Sequence, residues 1–104
     1  MIVVGEKLNT SRKAVREAVE NKDSIFIRNL ARRQVEAGAH YVDVNCGTFV
    51  EEEPEYLSWM VKEVQDELNQ MPLCIDSPSA EAVAAALKVH KGQALLNSIS
   101  GENE

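Results

Sequence analysis

Residues 41–45 read Tyr41-Val42-Asp43-Val44-Asn45, a largely apolar run of strand length that ends on a polar residue. Three other runs share this form. Ile2-Val3-Val4 leads into Gly5-Glu6-Lys7-Leu8-Asn9, Leu73-Cys74-Ile75 into Asp76-Ser77, and Ala94-Leu95-Leu96 into Asn97-Ser98. Apolar residues at successive positions suit strands buried on both faces, as in parallel sheets. The segments between them read as helices. Thr10 and Ser11 can cap a helix over 12–20, and Asp23 one over 24–37 that Gly38 would end. Pro54 suits a first helical turn, and Glu51, Glu52 and Glu53 favour a helix N-terminus. From there Leu57, Met60, Val61, Val64 and Leu68 form one apolar stripe, with Glu63, Asp66 and Glu67 facing outward. Ser79 can cap a last helix over 80–90, with Val83, Ala84 and Leu87 inward and Gly92 as its stop. The order is therefore β-α-β-α-β-α-β in one α/β domain over residues 1–104. Two architectures begin this way: an open doubly wound sheet and the first half of an eight-stranded barrel.

All four strands finish on an amide or carboxylate: Asn9, Asp43 with Asn45, Asp76, and Asn97. Asn and Asp suit turns, which accounts for any one of them. In parallel α/β folds, however, ligands bind at the C-terminal ends of strands, so four such ends converge on one rim. Carboxylates and amides without a basic cluster suit a neutral ligand rich in N–H donors, such as a pterin. Phosphate is disfavoured, because no Gly-rich loop follows a strand.

The net charge of −6, from 17 acids against 11 bases, argues against a nucleic-acid partner. No apolar run approaches the roughly 18 residues of a membrane span. Met1 opens directly onto Ile2-Val3-Val4-Gly5, so no signal peptide is expected, and the isolated Cys46 and Cys74 suit reduced thiols in the cytoplasm. Metal binding is not expected, since Asp43 and Asp76 lack a third carboxylate on a strand end. Cys74 reads as inert packing, while Cys46, just past Asn45, has a route to the ligand. His90 is expected to meet a helix C-terminus, and His40 precedes a strand, at the end opposite the rim. Trp59 reads as packing, and the acidic run 51–55 as a solvated helix start.

Four segments carry a resemblance: GEKLN (5–9), ARRQVEAGAHYVDVNCG (31–47), PLCIDSPSAEAVAAALK (72–88) and ALLNSISGE (94–102). They resemble the pterin-binding methyltransferases, in particular methyltetrahydrofolate:corrinoid protein methyltransferases. The folate module of cobalamin-dependent methionine synthase is similar, and dihydropteroate synthase more distantly so. The motifs run GExxN, then QxExGA with VDVN, then IDS, then NSIS, in family order over nearly the whole chain. The resemblance implies the N-terminal half of a (βα)8 TIM barrel with a pterin in its mouth. It implies that Asp76 and Asn97 hydrogen-bond the pterin ring, with Asn9, Asp43 and Asn45 lining the same mouth. It implies methyltetrahydrofolate as substrate and a corrinoid (cobalamin-type) cofactor carried by a partner protein. Further pterin contacts in the family lie on later strands, and no general acid is assigned among the residues here. The half-barrel's free strand edges, at 2–4 and 94–97, are expected to be covered by a second copy or by the C-terminal half-barrel. Two alternatives stand beside this reading. A dihydropteroate synthase-like enzyme is disfavoured by the loop Asn45-Cys46-Gly47-Thr48, which lacks that family's Gly-rich, Ser/Thr-Arg-Pro loop. The other is a non-catalytic open α/β module for ligand binding or dimerisation.

Overall fold

The computed structural model describes residues 1–97, and within them the elements run in strict alternation after a first helix pair. They are β1 (Val4–Asn9), α1 (Lys13–Glu20), α2 (Ser24–Glu36), β2 (Tyr41–Asn45), α3 (Glu53–Glu67), β3 (Leu73–Asp76), α4 (Ala80–Val89) and β4 (Leu95–Asn97). Local chemistry explains most boundaries. Asp23 caps α2 by accepting from the Phe26 N–H at 3.1 Å, and Ser79 caps α4 by accepting from the Ala82 N–H at 3.1 Å. Pro54 occupies the first turn of α3. Gly38 and Gly92 follow α2 and α4 at φ +109° and +76°, a conformation in which a side chain is strained. The expected cap of α1 is corrected. Its N-cap is Arg12, with no side-chain bond, because Thr10 is fully buried and accepts from the Thr48 hydroxyl instead. The first strand also starts later than the apolar run 2–4 suggested. Val4 begins the ladder, and Ile2 and Val3 are exposed.

The four strands are parallel and lie in the order β1-β2-β3-β4. A doubly wound sheet reverses its strand order at a switch point. This sheet has none among the described residues, and its sequential order is that of the first half of a (βα)8 barrel. Alternation along the strands sorts the two faces. Leu8, Val42, Val44, Leu73 and Ile75 are fully buried and form one core with the helices. At about 25 cal/mol per Å² of apolar surface, each such side chain stabilises the fold by about 1.5–3 kcal/mol. The other face carries Asp43, Asn45, Cys74, Asp76, Leu95 and Asn97. β1 enters with an irregularity between Gly5 and Leu8. There Gln34 of α2 sits so close that a Cβ on Gly5 would lie 2.5 Å from its Oε1, which accepts from the Lys7 N–H at 2.9 Å. Only glycine admits that approach.

The α3 stripe packs as expected, with Leu57, Met60, Val61 and Val64 fully buried and Leu68 against the same core. Its acidic side is less solvated than the sequence suggested. Glu63 and Glu67 meet Arg28 and Arg32 of α2 at 2.8 and 2.9 Å, while Asp66 stays exposed. The expected face of α4 is corrected. Ala82 and Ala86 are the fully buried positions, since small side chains let α4 approach the neighbouring α3. Val83 is half-buried, and Ala84 and Leu87 are exposed. These three line a groove with Pro78 and Leu96 at the outer edge of β4. His90 sits at a helix C-terminus as expected: it is the C-cap of α4, and its N–H donates to the Ala86 carbonyl at 3.0 Å. It is buried at the opposite end from the rim, where its Nε2 accepts from the Leu73 N–H at 3.1 Å and Nδ1 donates to the Gly92 carbonyl at 3.1 Å. Gln65 completes this clasp by donating to the Met71 and Lys91 carbonyls and accepting from the Lys91 N–H. Trp59 packs against the core, as expected.

Candidate functional site at the strand C-termini

The strand registers bring the polar strand ends into a row. Asn9 pairs with Asn45, and Asp76 with Asn97. Continuing the β2–β3 register by one residue from the Val44–Ile75 pair sets Asn45 beside Asp76. The upper row is thus Asn9, Asn45, Asp76 and Asn97, on one face across all four strands. One layer deeper, Asp43 pairs with Cys74, and Cys74 with Leu95. The expected convergence of Asn9, Asp43, Asn45, Asp76 and Asn97 is therefore present as an arrangement, in two layers rather than on one rim.

These residues are not equivalent. The Asn9 Oδ1 accepts from the Ser11 N–H and the Asn45 Oδ1 from the Gly47 N–H, at 2.9 and 2.8 Å. Both oxygens thus serve the turns that leave the strands, as Asn side chains commonly do. Asp43 and Asp76 are different. They are 6% and 7% exposed, and so largely withdrawn from water. The Asp76 Oδ1 is buried without a hydrogen-bond partner. A buried carboxylate oxygen left unpaired costs about 1–3 kcal/mol or more, so the site holds an unused acceptor.

Asp43 sits deeper still. Burial raises its carboxyl from the usual 3.8 to about 7, the Cys74 thiol works against this rise, and the nearby Asp76 and Glu6 add to it. Near neutral pH Asp43 therefore carries a proton for much of the time. A protonated Asp43 relieves the repulsion between the two carboxylates. The Cys74 thiol is pushed up to about 12 by burial and by the same acids, so it stays an S–H group.

Cys46 does not face this site. It is fully buried in the helix-side core, and burial raises its thiol too. A second correction concerns the acidic run 51–55. Glu53 is 4% exposed, and the Ser77 hydroxyl donates to its Oε2 at 2.6 Å. Ser77 also accepts from the Ser79 N–H at 3.0 Å, so the loop after Asp76 is tied to the start of α3. Nothing in the linear sequence marks a pair separated by 24 residues. The reading of Cys74 as inert packing is corrected too, since its register beside Asp43 puts it on the site face. For Cys74 a signal existed: it lies two residues before Asp76, and alternation puts i and i+2 on one face. Among the described residues, no group of three or more His, Cys, Asp or Glu side chains is placed to hold a metal ion. No helix there is long and apolar enough to cross a membrane.

Comparison with known proteins agrees with this geometry. The family described as pterin binding enzyme matches residues 5–104. A methylcorrinoid:tetrahydrofolate methyltransferase of Eubacterium limosum is 49% identical over 102 residues, covering 98% of this chain and 37% of that protein. The chain thus spans little more than a third of the length of this relative. The chain belongs to the pterin-binding enzyme family.

Proposed function

We propose that this chain forms the first half of a (βα)8 barrel that binds a reduced folate by its pterin ring. The whole barrel transfers a methyl group between folate N5 and the cobalt of a corrinoid held by a partner protein. The observation that carries this reading is the buried, unpaired Oδ1 of Asp76 at the strand C-termini. A pterin offers an amidine-like edge of N–H donors, and a carboxylate in this position accepts from it. Asn97, next to Asp76 in the ladder, has an amide that both donates and accepts. The free Nδ2 groups of Asn9 and Asn45 complete the row, with Asp43 behind Asp76. These residues bind and orient the ring, and the corrinoid supplies the cobalt chemistry. The name of the Eubacterium limosum relative supports both folate and corrinoid, and favours the direction from methylcorrinoid to tetrahydrofolate. That relative's greater length favours later strands of one barrel, rather than a second copy, as the cover for the outer edges of β1 and β4.

Calorimetric titration of the full-length protein with tetrahydrofolate and methyltetrahydrofolate tests the reading. Asp76→Asn is expected to weaken binding by about 1.5–3 kcal/mol, or roughly 10- to 100-fold, the range for hydrogen bonds to a charged group. Unchanged affinity in a folded variant would remove Asp76 from the site.

A further inference from the structure

We infer that Glu53 is a positioning residue of the pterin site: by accepting from the Ser77 hydroxyl it fixes the turn that joins the ends of β3 and β4, and so sets the spacing of Asp76 and Asn97. The inference rests on the pterin reading for its functional meaning, while the Glu53–Ser77–Asn97 connection stands on the structure of this chain.

Ser77 follows directly on Asp76 and is buried. Three hydrogen bonds converge on it. Its N–H donates to the Asn97 carbonyl at 3.2 Å, its hydroxyl donates to the Glu53 Oε2 at 2.6 Å, and its Oγ accepts from the Ser79 N–H at 3.0 Å. The first bond ties the end of β3 to the end of β4, just past the ladder pair Asp76–Asn97. The third ties it to Ser79, whose side chain caps α4. A serine hydroxyl carries one proton and rotates to suit its surroundings. Donation to Glu53 stops that rotation and leaves a lone pair aimed at the Ser79 N–H. Without the acceptor, the turn after Asp76 loses its anchor to α3. Glu53 is well placed for this role. It is the first residue of α3, where the helix N-terminus favours a carboxylate. Among the described residues no Lys, Arg or His forms an ion pair with it. A carboxylate buried without a cation is not there for Coulombic stability. What it supplies is direction, since 2.6 Å lies in the short range of a charge-assisted bond. A ring held by Asp76 and Asn97 together depends on the distance between them, so a small displacement of either lowers affinity.

The test is tetrahydrofolate titration of the full-length protein, at a temperature where every variant is folded. Glu53→Leu removes the acceptor, Ser77→Ala removes the hydroxyl, and Glu53→Gln keeps a side-chain oxygen that accepts. Glu53→Leu and Ser77→Ala are each expected to weaken binding by about 5- to 10-fold, close to the worth of one hydrogen bond. Because both break the same link, the double variant is expected to lose no more than either alone. Glu53→Gln is expected to stay within about threefold of wild type. A folded Glu53→Leu or Ser77→Ala that binds like wild type overturns the inference, since a purely structural pair lowers the melting temperature and leaves affinity unmoved. So do losses that add in the double variant. Ser77→Ala decides the matter if the leucine variant fails to fold. Absence of binding by the wild type refutes the pterin reading. Amide hydrogen exchange at Ser77 then decides the role of Glu53: it is expected to be about tenfold faster in Glu53→Leu than in wild type, and an unchanged rate overturns the connection.

Discussion

Replacing Asp43 by Asn is expected to stabilise the full-length protein at neutral pH and to leave its stability in acid little changed. The Asp43 carboxyl rises from 3.8 to about 7 on folding, so the folded protein holds this proton more tightly than the unfolded chain. The sign follows directly. The favourable contribution of protonated Asp43 is complete below pH 3.8 and is lost as pH rises to about 7. Each pH unit in that window is worth about 1.4 kcal/mol, so an ionised Asp43 costs the fold about 4 kcal/mol at full value. Asn is itself polar and loses the thiol's charged acceptor, so about 2 kcal/mol of net stabilisation is the expectation above pH 7. Denaturant unfolding of both proteins at a series of pH values measures it. The difference should be near zero at about pH 4, grow to neutrality and flatten above, since the contributions of other acids cancel between the two proteins. A difference independent of pH, or an Asn variant less stable at neutral pH, would refute this account of the Asp43 environment. Stability given up at a buried acid is what a site selected for binding shows.

Three further outcomes are expected. Asn97→Ala should weaken pterin binding by about 1–3 kcal/mol with an unchanged melting temperature, since Asn97 is exposed at the end of β4; calorimetry beside a thermal melt checks both. Val64→Asp should destabilise by about 3–5 kcal/mol in denaturant titration, because it puts an unpaired charge into the fully buried face of α3. Ser77→Ala should cost about 1–3 kcal/mol in the same assay by leaving the buried Glu53 carboxylate without its donor, and Ser77→Thr, which keeps the hydroxyl, should recover part of it.

Much of this molecule is legible without coordinates. The second strand is bounded as the run 41–45 indicates, and α2 and α4 begin behind Asp23 and Ser79. These features are local: a cap, a glycine stop or an apolar run acts over a few residues, and its signal sits in those residues. The polar strand ends were legible too, because strand boundaries and the C-terminal rule together name the rim. What failed was a matter of neighbours. On α4, Val83 and Leu87 outrank alanine in hydrophobicity, so the sequence alone points to the wrong face. Yet the alanines meet α3, while Val83 and Leu87 lie over the outer edge of β4.

The sequence by itself determined the order of elements, the strand ends and the family resemblance, since each is written in short-range pattern. Only the tertiary structure decided which polar groups are spent and which are free. Asn9 and Asn45 commit their oxygens to turns, Glu53 is buried against Ser77, and Asp76 keeps an acceptor unpaired. It also decided that Cys74 and Asp43, 31 positions apart in the sequence, share one face of adjacent strands. The reason is physical. The burial of a carboxylate and the partners it finds depend on strand register and helix packing, and both are set by contacts between residues distant in the chain.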